Sequence, residues 1–405
     1  MRPVNQHLAH LGARAVYSRF APRGHPRPEP YRPECREYGG IDNSFRRAYC
    51  PFAPVDNPPQ PNYAGRTKGE TSMSPLPSLS VVKTSPLVGI ARLASQGESL
   101  REGHNVEYFT LPVRSLLNRC TSARMPFTWT INPYRGCEFA CKYCYARYTH
   151  EFMEMRDGVD FERKIYVKQH AADLLRQELR QVKPGEEIAL GTATDPYQPA
   201  ERRYEITRAI LEELARHHGH EIGIVTKANL VLRDIDVLQQ LARDNQLYVN
   251  VTITTLNADL ARIVEPRAPR PDLRLEAVRR LNEAGIAAGV ICAPVLPGIT
   301  DAARDLEALV KATAKASGKY IFANPLFLKP CSAAVFLPFL EKEFPHLAQS
   351  YRQRFQNRAF LPKSYHKRIA ALLEKLRHKY GIVNAYERYA ERSHPPLKNQ
   401  QLSLF

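Results

Sequence analysis

The stretch Gly136-Cys137-Glu138-Phe139-Ala140-Cys141-Lys142-Tyr143-Cys144 constrains this chain more than any other, because three thiols fall within eight residues. So short a segment holds its sulfurs as one group, and it reads as a metal-binding loop. A disulfide framework is not expected in a chain of 405 residues with no apolar export signal. Structural zinc takes four ligands, usually as two separated pairs. Here there is a triplet without a second pair, and Cys120 or His150 would have to be brought in by the fold. Three thiolates from one loop suit a [4Fe–4S] cube and leave one iron open to an external ligand. Cys137, Cys141 and Cys144 are therefore the expected metal ligands. Cys35 and Cys50 take no assigned role, and Cys292, on an apolar run, reads as core.

Around this loop, strand-like and helical patterns alternate. Short apolar runs rich in Val, Ile, Thr or aromatics occupy residues 129–132, 188–193, 221–226, 247–254, 287–295 and 320–322. Such runs suit strands covered on both faces. Helical stretches fall between them at 171–181, 203–218, 234–244, 273–284 and 301–316. Asp301 is expected to cap the last of these, and Gly219, Gly285 and Gly318 to stop helices. Repeated strand–helix units imply a parallel sheet with right-handed crossovers. Six units predict an α/β fold, a partial (β/α)6 barrel rather than a closed eight-unit one. The cysteine loop then sits at the carboxyl end of the first strand, where such folds place their chemistry. Beyond Pro330 the pattern turns helical and basic. Residues 365–380 put Ile369, Leu372, Leu373, Leu376 and Tyr380 on one stripe, ended by Gly381.

Four regions are expected. Residues 1–105 form a Pro-rich, largely disordered arm, since residues 1–80 hold 13 of the 32 prolines. Residues 106–330 form the core, 331–396 a basic helical extension, and 397–405 a flexible tail. No apolar run approaches the length needed to span a bilayer, and a soluble, cytoplasmic protein is expected. The net charge is +17, and residues 342–398 carry 13 Lys and Arg against 4 Asp and Glu, a net +9. A basic surface so concentrated suits a polyanion such as DNA, or serves solubility alone.

The pattern Cys-x-x-x-Cys-x-aromatic-Cys, with Tyr143 in the aromatic slot, resembles the radical S-adenosylmethionine (SAM) superfamily. The wider run Ile131-Asn132-Pro133-Tyr134-Arg135-Gly136-Cys137, with Cys144-Tyr145-Ala146-Arg147, is similar to the spore photoproduct lyase-related branch, whose members are often labelled DNA repair photolyases. The resemblance spans residues 126 to 328. It implies a radical SAM barrel, a [4Fe–4S] cluster, and reductive cleavage of SAM to a 5′-deoxyadenosyl radical, with electrons from a donor such as flavodoxin or ferredoxin. By the same resemblance, Tyr143, Thr194, Asp195, Lys227, Thr252 and Thr254 are cofactor-binding candidates. Thr194 and Asp195 would meet the methionine ammonium, Lys227 its carboxylate, and Thr252 the ribose. Residues 290–297 resemble the segment that packs on adenine. Each also has a plain reading: Asp195-Pro196 as a capped turn, Lys227 as a loop lysine, the threonines as good strand formers.

The resemblance weakens at the hydrogen donor, because the cysteine used by the lyase aligns with Thr192. Cys331, read as lying on a loop near the sixth strand, is the better catalytic candidate. The last five residues, Gln401, Leu402, Ser403, Leu404 and Phe405, resemble the pentapeptide with which bacterial DNA-associated proteins dock on the replicative sliding clamp. The leading expectation is a radical SAM enzyme acting on DNA. The alternatives are a radical SAM enzyme acting on RNA, a peptide or a metabolite, and a non-catalytic metal-bound adaptor of the clamp.

Overall fold

The computed structural model describes residues 87–382, except 104, 122–124 and 184. All of these belong to one compact unit, Val82–Phe405. The Pro-rich arm up to residue 86, with Cys35 and Cys50, and the tail from 383 on, with Gln401–Phe405, lie outside the described residues.

Eleven strands form two sheets among the described residues. They are β1 (Ser99–Gly103), β2 (Val106–Thr110), β3 (Leu117–Arg119), β4 (Trp129–Ile131), β5 (Tyr134–Arg135), β6 (Lys164–Val167), β7 (Glu187–Leu190), β8 (Glu221–Thr226), β9 (Gln246–Thr252), β10 (Ala288–Val295) and β11 (Ile321–Pro325). The large sheet runs β11-β10-β9-β8-β7-β4-β3. Its six strands from β4 to β11 pair in parallel, and β3 adds an antiparallel edge. The expected six-unit open α/β sheet is thus present, and it does not close into a barrel. A second sheet, β1-β2-β6-β5, was not anticipated. Its strands are two to five residues long, too short for periodicity to register. The helix Gly89–Ser95 and β1 lie upstream of residue 106.

Apolar side chains of β7 to β10 are fully enclosed (Ile188, Leu190, Ile222, Ile224, Val249, Val251, Val290). The helices Ala171–Glu178, Ile206–Leu214, Ile235–Asp244, Pro271–Glu283 and Ala303–Lys315 follow successive strands, and their apolar faces join the same core. Beyond β11, the helices Pro330–Glu343, Pro345–Phe355 and Lys363–Tyr380 form the helical extension, with Ile369, Leu373 and Leu376 buried. Gly381 (φ +66°) ends the last of these as expected.

Three local expectations are corrected. Asp301 does not cap the helix that begins at Ala303, whose N-cap is Ala302. Its carboxylate accepts instead from the Gly298 N–H, the Tyr365 hydroxyl and Arg368, fastening the extension to the core. The left-handed residue after that helix is Ser317 (φ +55°), not Gly318. Gly318 is needed for space, since a Cβ there would lie 2.6 Å from Thr313 Cγ2. The single helix expected at 203–218 breaks at Glu205 (φ +49°) into Glu201–Tyr204 and Ile206–Leu214. The cause is the buried Glu201 carboxylate, which takes the Thr207 and Arg208 N–H groups at the second helix's start.

Candidate active site

The cysteine loop is held in place by its backbone. Gly136 has φ +86°, and a Cβ there would sit 2.7 Å from the Lys164 carbonyl oxygen and 2.9 Å from that of Phe161, so the position accepts glycine alone. The Cys137 N–H donates to the Phe161 carbonyl at 2.9 Å, and the Lys142 N–H to that of Val264 at 3.0 Å. The Glu138 N–H donates to Gln198 Oε1 at 3.0 Å. Its buried carboxylate accepts from the Tyr108 hydroxyl at 2.9 Å and the Ala200 N–H at 2.8 Å. Arg147, completely enclosed, donates to the Cys141 carbonyl at 3.0 Å and pairs with Glu162 at 2.8 Å. Every anchor engages main chain or a neighbour of the cysteines, and the thiols of Cys137 and Cys144 meet only backbone N–H groups, those of Phe139 and Ala146.

Burial is the main cause that raises all three thiols above their ordinary value, Cys141 to about 12. Negative charge on Asp195, Cys141 and Cys144 pushes Cys137 up further. Three close thiols that resist ionisation call for a positive centre among them, and soft sulfur donors suit iron or zinc. Among the described residues, no three His, Cys, Asp or Glu side chains converge on one metal position. In a cube each thiolate binds a different iron, so three thiols spaced along one short loop suit it. The loop therefore fits the cluster.

The predicted cofactor-binding residues gather at the carboxyl ends of β7, β8 and β9, beside this loop, but several side chains are committed within the protein. The Thr194 hydroxyl donates to the Gly136 carbonyl at 2.6 Å and accepts from Gln198 Nε2 at 2.9 Å. Asp195 accepts from the Thr226 hydroxyl at 2.7 Å, the Lys227 N–H at 2.7 Å and the Tyr197 N–H at 3.0 Å. These two residues join the β7 loop to the cysteine loop and to the end of β8. The ammonium of Lys227 lies 5.8 Å from the centroid of the Tyr143 ring. Burial pulls it down, but the negative charge of Cys141 and Glu265 outweighs burial and sets it above its ordinary value. Thr252 is buried, and its carbonyl accepts from Arg274 Nη1 at 3.1 Å. The Thr254 hydroxyl donates to Glu265 Oε1 at 3.1 Å.

Glu265 and Arg274 escaped the sequence reading. Glu265, fully buried, also accepts from the Tyr143 hydroxyl and pairs with Arg274 at 2.6 Å. The aromatic slot of the motif is thus tied to an ionic floor beneath β9. Neither residue belongs to a motif or a periodic face, so no signal in the sequence pointed to them. Gln198 was missed for the same reason; Glu138 and Arg147 lie within the motif runs, but their partners Tyr108, Ala200 and Glu162 are outside them. Cys292 is fully buried on β10, as expected for core. Cys331 is corrected: it lies in the first turn of the helix Pro330–Glu343, not on a loop. It still adjoins the site, because its neighbour Ser332 donates to the Cys144 carbonyl at 2.9 Å.

Comparison with known proteins agrees with this geometry. The model of the radical SAM superfamily matches residues 131–311. A protein of Mycobacterium tuberculosis with no assigned function is 34% identical over 296 residues, covering 72% of this chain and 86% of its own. One of Methanocaldococcus jannaschii, also unassigned, is 29% identical over 217 residues, covering 54% and 76%. Among solved structures, spore photoproduct lyase with bound AdoMet and dinucleoside spore photoproduct shares the fold at a TM-score of 0.52. It is 15% identical, over 67% of this chain and 79% of that one. This chain belongs to the radical SAM superfamily, whose enzymes bind a [4Fe–4S] cluster and S-adenosylmethionine.

Proposed function

We propose that the chain is a radical SAM enzyme acting on DNA, with Cys137, Cys141 and Cys144 holding the cluster. The observation that supports the cluster reading is an anchored loop, at the carboxyl end of a parallel sheet, that gathers three thiols with no side-chain hydrogen bond to any of them among the described residues. When bound, cluster and SAM supply a 5′-deoxyadenosyl radical on one-electron reduction, the source of hydrogen abstraction. Lys227 offers a charge to the SAM carboxylate, and Thr252 lines the ribose side. Tyr143, Thr194, Asp195 and Thr254 act as positioning residues, since their polar atoms hold the cysteine loop and the strand ends around it. Cys331, partly exposed beside the cysteine loop, is the thiol that would return a hydrogen atom to substrate, its thiyl radical then being restored by one electron from the flavodoxin- or ferredoxin-class donor and a proton from solvent. The DNA substrate is supported by the basic segment 342–398, by the clamp-like sequence Gln401–Phe405, and by the fold shared with a lyase whose structure holds a dinucleoside lesion.

The test is anaerobic reconstitution followed by reduction with dithionite or flavodoxin. A brown protein with four irons that forms 5′-deoxyadenosine is expected, and Cys137→Ala, Cys141→Ala or Cys144→Ala abolishes both. Iron retained by these variants, or a colourless zinc protein, refutes the assignment. Cys331→Ala leaves 5′-deoxyadenosine formation intact while halting turnover of a DNA substrate. Uncoupled cleavage that falls to the same extent refutes its role.

A further inference from the structure

One surface feature is used by none of the chemistry above. Starting at the residue after Cys144, aromatic rings run in contact across the rim of the site. Tyr145 faces Tyr148 at 6.5 Å between ring centroids, with planes inclined by 20°. Tyr148 meets Phe152 edge-on at 5.6 Å. On its other side Tyr145 meets Phe327 at 6.3 Å, and Phe327 stacks on Phe360 at 4.4 Å and 22°. The rings come from three separate segments: the turn after the cysteine loop, the chain after β11, and the connection before the last helix. An isolated bridge between Phe327 and Phe360 fixes the last two segments together.

This ladder is not core. Tyr145 is 41% exposed, Phe152 61% and Phe360 44%, and these are the three aromatic members of the exposed large hydrophobic side chains among the described residues. A run of uncovered rings costs solvation in the free protein. It is also positively charged. Lys329 Nζ sits 3.7 Å from the centroid of Tyr148 and 6.0 Å from that of Phe327, and pairs with no carboxylate among the described residues. The guanidinium of Arg135 lies beside Tyr148, opposing the upward push of burial on its phenol. Exposed Arg358 and Lys363 flank Phe360 in the chain. The middle ring, Tyr145, follows Cys144 directly in the chain and its hydroxyl donates to the Thr192 carbonyl after β7, so the ladder adjoins the cysteine loop at its centre.

Rings that alternate with cations on an open surface match the chemistry of unpaired bases and their phosphates. Every base has a π-face to stack, and the cations meet the backbone. A duplex offers no free base face, so an enzyme reaching a base atom must use a single strand or a nucleotide turned out of the helix. We propose that Phe152, Tyr148, Tyr145, Phe327 and Phe360, with Lys329 among them, form a stacking platform for single-stranded DNA that delivers a base to the cluster. The proposal rests on the DNA reading above and adds the form in which DNA is bound.

The experiment is fluorescence anisotropy with the reconstituted full-length chain under anaerobic conditions. The probes are labelled single-stranded oligothymidylate and its duplex with oligoadenylate. Wild type is expected to prefer the single strand. The Phe152→Ala/Phe360→Ala double variant weakens single-strand binding about tenfold or more and leaves duplex binding unchanged. Its iron content and uncoupled 5′-deoxyadenosine formation stay at wild-type level, because Phe152 and Phe360 lie at the two ends of the ladder, away from Tyr145. Phe152→Trp/Phe360→Trp retains single-strand binding, which a merely structural role for shape would not predict. Lys329→Gln reduces the salt dependence of binding by about one phosphate contact, whereas the double variant leaves that slope unchanged. Single-strand affinity equal to wild type in the double alanine variant overturns the platform and leaves the DNA reading standing. Failure of wild type to bind either probe removes both.

Discussion

The ionic floor beneath the cysteine loop makes the sharpest stability prediction. Glu265 and Arg274 have side chains 0% and 1% exposed and meet at 2.6 Å. Burial alone would raise the Glu265 carboxylate, but the positive charges of Arg274 and Lys227 outweigh it and hold it below its ordinary value. Glu265→Leu leaves the guanidinium buried without a counter-charge and removes the acceptor for both Tyr143 and Thr254. Stranding one partner of a buried pair costs about 3–5 kcal/mol. At about 2.1 cal/mol/K of unfolding entropy per residue, a folded unit of this size shifts by about 1.6 °C per kcal/mol, so the melting temperature falls by roughly 5–8 °C. Arg274→Met alone is similarly costly. The combined Glu265→Leu/Arg274→Met variant recovers at least about 2 kcal/mol of the summed loss, since neither charge is then left alone. Recovery is incomplete, because Arg274 also donates to the Pro269 and Thr252 carbonyls at 2.7 and 3.1 Å. Thermal unfolding of anaerobically reconstituted protein measures all three variants, with iron content as a second readout through the Tyr143 link. A cost under about 1 kcal/mol for Glu265→Leu, or strict additivity in the double variant, refutes the reasoning.

Three further outcomes are expected. Gly136→Ala forces a side chain into backbone at 2.7 Å with φ +86°, destabilises the chain by roughly 1–3 kcal/mol, and lowers iron bound per chain after reconstitution. His150 is buried against the Phe161 and Tyr166 rings, and burial lowers its pKa from 6.5 to about 4. The unfolded chain takes this proton first, so the contribution is full above pH 6.5 and is lost as pH falls toward 4, by about 3 kcal/mol at most. His150→Asn flattens that part of the pH dependence of thermal unfolding. Lys168, lowered by burial from 10.5 to about 7, has already exerted its effect above this window. Deleting Gln401–Phe405 abolishes co-purification with the sliding clamp without changing iron content or 5′-deoxyadenosine formation. Persistence of clamp association in the truncated chain refutes the docking role of the tail.

How much could be read in advance differs from one residue to the next. The six parallel strands were legible because a strand covered on both faces must be apolar along its length, and runs such as 221–226 state that locally. The cysteine triplet was legible because its three thiols are neighbours in the chain. Gly136 was part of the quoted motif, yet its necessity depends on the Phe161 and Lys164 carbonyls, which are distant in sequence. Thr194 and Asp195 were picked out in advance and lie beside the cysteine loop, but their hydrogen bonds to Gly136, Thr226 and Lys227 are long-range and follow no spacing rule. The Glu265–Arg274 pair joins two turns of chain around a tyrosine more than a hundred residues away, so burial alone reveals its importance. The aromatic ladder is drawn from three segments, each carrying one or a few rings that look ordinary in isolation. Local pattern encodes which face is apolar and which ligands are adjacent. Which charges share a buried space, and which rings meet at a rim, depend on contacts that exist only once the chain has folded.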